Sequence, residues 1–192
     1  MKNKYKVYDS TLIKNNLDDI INDCSFMNKK IKHYFPHTNP TSSTNKNEFK
    51  EFKLHEGYKL YNIFGLSSPN INFYNIYKEL LTVINEFTSL NEFYIQSWLN
   101  YQDYENVLDW HTHEGYDFHG YICIDPKDTI TEFEDYIIEN QSGLIYIGEG
   151  NPKHRVVNKS KYSGNRITIG FDIIKPSNNF VKNRGFIPVF IS

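Results

Sequence analysis

The sequence predicts an α+β chain, mainly β, with helices first and a β core after them. Three observations carry this. Helical spacing of apolar residues is confined to the N-terminal half. From Phe93 onward the chain breaks into short apolar or alternating runs divided by Gly, Asn, Asp, Lys and Pro, the pattern of a sandwich or barrel. The length, 192 residues, suits one domain with a proper core. The expected organisation is therefore a single domain over 1–192: helical or mixed support over 1–90, a β core over 91–174, and a C-terminal extension over 175–192.

The elements follow in order. Asp9 and Ser10 are cap residues for a helix carrying Leu12, Ile13, Leu17, Ile20 and Ile21 on one side. Residues 36–48, PHTNPTSSTNKNE, have loop composition and are a candidate lid. A second helix is expected from about Phe73 to Phe87, where Ile76, Leu80, Val83, Ile84 and Phe87 share a face. Strands are expected at Phe93–Asn100, Tyr116–Ile124, Gly143–Ile147, His154–Val157 and Arg166–Ile173. The closing PVFI stretch reads as an edge strand or cover.

Composition excludes several classes. Aromatic residues make up 16% and hydrophobic residues 39%, more apolar surface than a disordered chain carries. Lys+Arg is 21 against Asp+Glu 23, a net charge of −2, without the basic excess of a nucleic-acid binder. Apolar runs fall far short of the ~20 residues a spanning helix needs, so no membrane partner is expected. Two cysteines, Cys24 and Cys123, make no disulfide framework and fit a reducing compartment. The opening MKNKYKVYDSTLIKNNLDD has no apolar core of a secretory signal, and a cytoplasmic location is expected.

The chemistry is concentrated in histidines. Of seven, His111, His113 and His119 fall within DWHTHEGYDFHG, and His154 follows in NPKHRVVN. On extended backbone, residues two apart share a face, so His111 and His113 can chelate one metal. His154, on a later strand, is the candidate third ligand. Nitrogen and oxygen donors with open positions suit non-haem Fe(II), whose usual set is two His and one carboxylate. Arg166 opens the alternating strand RITIGFDI, with Thr168 two residues on and on the same face. A guanidinium is a fork donor that matches a carboxylate, and an Arg–Thr pair aimed into a metal cavity would hold a dicarboxylate by its far end.

These residues, in this order, resemble the 2-oxoglutarate- and Fe(II)-dependent oxygenases. The likeness is to a compact microbial and phage branch with the pattern W-x-N, H-x-H-x6-G, an apolar strand, then G, H and R-x-[ST]. Here Trp98-Leu99-Asn100 opens the pattern, and His111-Thr112-His113 is followed by Gly120 and YICI. Gly143-Leu144-Ile145-Tyr146-Ile147 precedes His154, and Arg166-Ile167-Thr168 closes it. The match covers about 75 of the 192 residues. It implies a double-stranded β-helix (jelly-roll) core. It also implies Fe(II) on His111, His113 and His154, and 2-oxoglutarate held by Arg166 and Thr168 with Asn100 and Tyr121 as further contacts. The implied reaction is hydroxylation with O2, releasing succinate and CO2. The prime substrate, a protein side chain or a small metabolite, is not specified.

Three alternatives stay open at this level. Most of the wider superfamily has a carboxylate where this chain has His113, and Asp117 is the fallback ligand, with Glu114 expected on the opposite face. The same residues also approximate a cupin pattern: His111, His113 and Asp117, then Gly143, His154 and Asn158, with Glu149 and Asn151 departing from it. A cupin-type metalloprotein shares the fold and the histidines but has no need of Arg166. A non-catalytic β-sandwich binding protein is the third reading.

Overall fold

The computed structural model describes residues 4–35, 60–106, 108–178 and 185–191. It is mainly antiparallel β with four helices among these residues. The chain opens with a short strand, β1 (Tyr5–Asp9), then α1 (Thr11–Asn15) and α2 (Leu17–Tyr34). Next come α3 (Ile63–Ser67) and α4 (Ile71–Thr88). The strands that follow are β2 (Glu92–Gln102), β3 (Phe118–Asp125), β4 (Thr129–Phe133) and β5 (Ile137–Glu139). They continue with β6 (Leu144–Glu149), β7 (His154–Asn158), β8 (Arg166–Ile174) and β9 (Ile187–Phe190).

Three of the four described helices, α1, α3 and α4, start where a short polar side chain satisfies otherwise orphaned amides; α2, behind Asn16, has no such side-chain cap. Ser10 Oγ accepts from Ile13 N (3.1 Å) and donates to Glu79 Oε2 of α4 (2.6 Å), so one cap also ties α1 to α4. Asn70 Oδ1 accepts from Asn72 N and Phe73 N at the head of α4. The helix expected from Asp9 and Ser10 breaks at Asn16 and then runs on to Tyr34, well past Ile21. The candidate lid at 36–48 lies outside the described residues.

Six strands form one sheet in the order β1-β6-β3-β8-β2-β9, and three form another in the order β5-β4-β7. The PVFI stretch is the edge strand β9, paired with β2. The central strand β8 is buried along its whole length, and its two faces differ. Ile167, Ile169, Phe171 and Ile173 join the helices' Ile13, Ile20, Phe73, Ile76 and Leu80 in the main core. The alternate set, Arg166, Thr168, Gly170 and Asp172, points away from that core, as the two-residue period of a strand requires.

The inner face of the large sheet and the face of the small sheet enclose a cavity of about 600 Å³. Residues of both sheets line it: Trp98, Tyr121, Arg166 and Thr168 from one, Thr131, His154 and Val156 from the other. Gly170 fits here because a Cβ would lie 2.5 Å from the Trp98 ring, which crosses directly over it. No described helix is long and apolar enough to cross a membrane.

Candidate metal centre

His111 and His154 are brought together by backbone. His111 N donates to His154 O (2.9 Å) and His154 N donates to His111 O (3.0 Å), an isolated antiparallel bridge at the start of β7. His113 N donates to Gly150 O (3.0 Å), which holds the next candidate ligand against the turn before β7. The H-x-H segment is thus extended and pinned at two points, but it is not a strand. β3 begins only at Phe118, after a turn in which Gly115 takes φ 90°. Glu114 faces solvent.

One ring nitrogen from each of His111, His113 and His154 lies within 4.8 Å of the other two. Their tautomers follow from their neighbours. His111 Nδ1 sits 2.7 Å from Asp109 O, and His154 Nδ1 3.2 Å from Pro152 O. A carbonyl oxygen only accepts, so both Nδ1 atoms carry the proton and Nε2 keeps the lone pair. His113 Nδ1 sits 2.8 Å from Asp172 Oδ1, the same arrangement with a carboxylate. Its Nε2 is buried and has no hydrogen-bond partner. Metal-bound histidines typically donate their other ring N–H to such acceptors, which fixes ring and tautomer before the ion arrives. Burial, reinforced by the neighbouring imidazoles of His119, His111 and His113, pushes His154 down to about 2. It is therefore neutral, the form a metal needs.

His119 is fully drawn into this cluster. Its Nδ1 lies 2.9 Å from the same Asp172 Oδ1, and its ring stacks on His113 with centroids 3.5 Å apart. Burial, then His113, hold it down to about 4 against the opposing pull of Asp172. Burial would raise Asp172, but His113 and His119 outweigh it and hold the carboxyl at about 2. Trp98 covers both rings, at 6.1 Å from His113 and 6.3 Å from His119. Asp117, the fallback ligand, is elsewhere: its Oδ2 accepts from Lys175 N and Asn178 Nδ2, and its Oδ1 is 3.5 Å from Lys175 Nζ.

The other expected residues line the same cavity. Arg166 is 4% exposed, and burial lowers its pKa. Its Nη2 donates to the carboxamide oxygen of Gln102, its register partner on β2. No carboxylate among the described residues pairs with it. Thr168 Oγ1 accepts from Asn100 Nδ2 (3.1 Å), so its own O–H remains to be donated. Tyr121 Oη is buried without a hydrogen bond of ordinary geometry, although Thr131 approaches it. Three polar groups thus stand around one end of the cavity with donor capacity to spare.

Sequence reasoning missed Asp172. A signal was present: continuing the alternation Arg166, Thr168, Gly170 puts Asp172 on the cavity face.

No protein-family model matches the chain, and no curated protein matches it in sequence. Among solved structures, one described as "Non-heme monooxygenase, ThoJ-Ni complex" is similar at 10% identity and TM-score 0.44, over 59% of this chain. The chain matches 57% of that neighbour, less than two thirds of its length.

Proposed function

We propose that this chain is a non-haem Fe(II)- and 2-oxoglutarate-dependent oxygenase that hydroxylates its substrate inside a jelly-roll core. One observation carries the reading. A cavity has three imidazoles, each with a ring nitrogen within 4.8 Å of the other two, and the same cavity is lined by a buried guanidinium without a carboxylate partner among the described residues. A buried charge without a counter-charge is costly, and an anionic ligand is the simplest compensation. Two facing antiparallel sheets with the cavity between them support the jelly-roll.

The donor set fits the metal. Three imidazole nitrogens suit a borderline divalent ion, and His113 Nε2 is a buried nitrogen that nothing among the described residues satisfies. His111, His113 and His154 would hold Fe(II), which leaves positions for a bidentate 2-oxo acid and for O2. When bound, iron and 2-oxoglutarate supply the oxidant: 2-oxoglutarate, O2 and a substrate C–H become succinate, CO2 and C–OH.

The chain's own residues bind and orient. Arg166 pairs with the distal carboxylate in a planar fork, and Gln102 fixes the plane of that fork without adding charge. Thr168 donates its O–H to the same carboxylate, held in place by Asn100. Tyr121 has a further O–H to give. Trp98 and the small sheet close the walls and keep water from the reacting centre. The remaining volume takes a side chain or a small metabolite rather than a duplex.

The test is anaerobic titration of Fe(II) and 2-oxoglutarate into the full chain, followed by succinate release on adding O2. Saturable binding of both and release of succinate support the reading. Metal binding without 2-oxoglutarate binding moves it to a cupin-type metalloprotein. Binding of neither leaves a non-catalytic β-sandwich protein.

A further inference from the structure

Asp172 is wholly buried, and its Oδ2 has no hydrogen-bond partner among the described residues. All its compensation comes through Oδ1, which faces Nδ1 of both His113 (2.8 Å) and His119 (2.9 Å). It lies in the sheet opposite His119 on β3 and Gln96 on β2. An apolar residue there would cost the fold less than a buried, half-satisfied carboxylate, so a demand other than stability accounts for it.

Two stacked imidazoles share this oxygen, yet they are not equivalent. A ring nitrogen of His113 comes within 4.8 Å of those of both His111 and His154. His119 groups only with His113 and Asp172 among the described residues. We propose that Asp172 is a positioning residue: it forces His113 into the tautomer that presents Nε2 to the metal, and it holds His119 against His113 as a packing partner outside the ligand set. This rests on the metal-centre reading above. The carboxylate can only accept, so it selects Nδ1–H on both rings. It also supplies, through the His113 ring, negative charge that a three-imidazole set lacks, and this raises the basicity of the ligand nitrogen.

The test uses the full chain with Co(II) and Zn(II) under anaerobic conditions. Asp172→Asn keeps shape but can turn its amide toward a ring nitrogen and select the opposite tautomer. It is expected to weaken Co(II) binding by roughly 10–100-fold. His119→Phe keeps the stacking and is expected to leave Co(II) affinity unchanged. Nitrogen-15 spectra of the zinc-loaded wild type are expected to show His113 protonated at Nδ1 and metallated at Nε2. Unchanged affinity in Asp172→Asn, or a loss in His119→Phe as large as in His113→Ala, overturns the assignment while leaving the metal centre standing. If Asp172→Asn does not fold, the wild-type tautomer decides: His113 metallated through Nδ1 overturns the proposal. Wild type that binds no Co(II) sinks the metal centre and this inference together.

Discussion

His111 and His154 exchange both backbone hydrogen bonds, at 2.9 and 3.0 Å, and their rings lie 4.3 Å apart. In an antiparallel pair, residues bonded in this way carry their side chains on the same face. The relative placement of these two candidate ligands is therefore set by main chain. Replacing either ring by alanine should leave the bridge intact and remove a ligand. Metal affinity should fall by at least the roughly 10–100-fold seen when an outer partner is lost. Calorimetric titration with Ni(II) checks this, with circular dichroism as the control for folding.

Arg166 should divide stability from function. Its guanidinium is buried without a carboxylate partner among the described residues, whereas Gln102 opposite is partly exposed and can be hydrated. Arg166→Met is expected to hold or raise stability by up to ~1–4 kcal/mol. It should abolish 2-oxoglutarate binding while metal binding persists. Urea unfolding and ligand titration of one preparation read both effects. Retained co-substrate affinity would count against the anion site.

Gly170 should not tolerate a methyl group. The added Cβ would meet the Trp98 ring at 2.5 Å from Cε2 and Cζ2, and a central strand cannot step aside. Gly170→Ala is expected to cost ~1–3 kcal/mol by overpacking. It should also shift tryptophan fluorescence as Trp98 is displaced over His113 and His119. A variant with wild-type stability and emission would contradict this packing.

Ser10 tests the scaffold apart from the site. Its hydroxyl caps α1 and reaches Glu79, while its backbone N donates to Gly143 O (2.8 Å). Ser10→Ala should cost about 1–2 kcal/mol. Metal affinity should not change, because α1 packs on the face of the sheet away from the cavity.

The two thiols should be inert in the folded chain. Burial pushes both Cys24 and Cys123 up to about 12. At pH 8 the thiolate fraction is then only about 10⁻⁴, and both sulfurs are out of contact with solvent. Thiol-specific labelling should read none in native buffer and both cysteines in denaturant. Rapid native labelling of either would show that its surroundings open.

Where apolar side chains face a core, the strands were legible. The alternation in RITIGFDI marks β8, and the face shared by Ile76, Leu80 and Ile84 marks α4. β4 was missed because its inward face carries hydroxyls. Thr129 and Thr131 are buried, satisfied by Pro126 O and by Asn140, so burial there leaves no hydrophobic signature. β1 was missed because it is a short edge strand with no buried residue, so neither face carries an apolar signature. The H-x-H segment is extended, as the shared face of His111 and His113 requires, but ladder pairing reaches it only at His111.

Residue type and spacing determined which groups could do chemistry: three imidazoles, a guanidinium and the hydroxyl two residues beyond it. A period of two needs only local backbone geometry, so it can be read from one segment. Only the tertiary structure decided which groups meet. The bridge between His111 and His154, the carboxylate shared by His113 and His119, and the removal of Asp117 to Lys175 and Asn178 all depend on pairing between distant segments. Such pairing follows from how two whole sheets bury their faces against each other and against the helices, and no single segment encodes that.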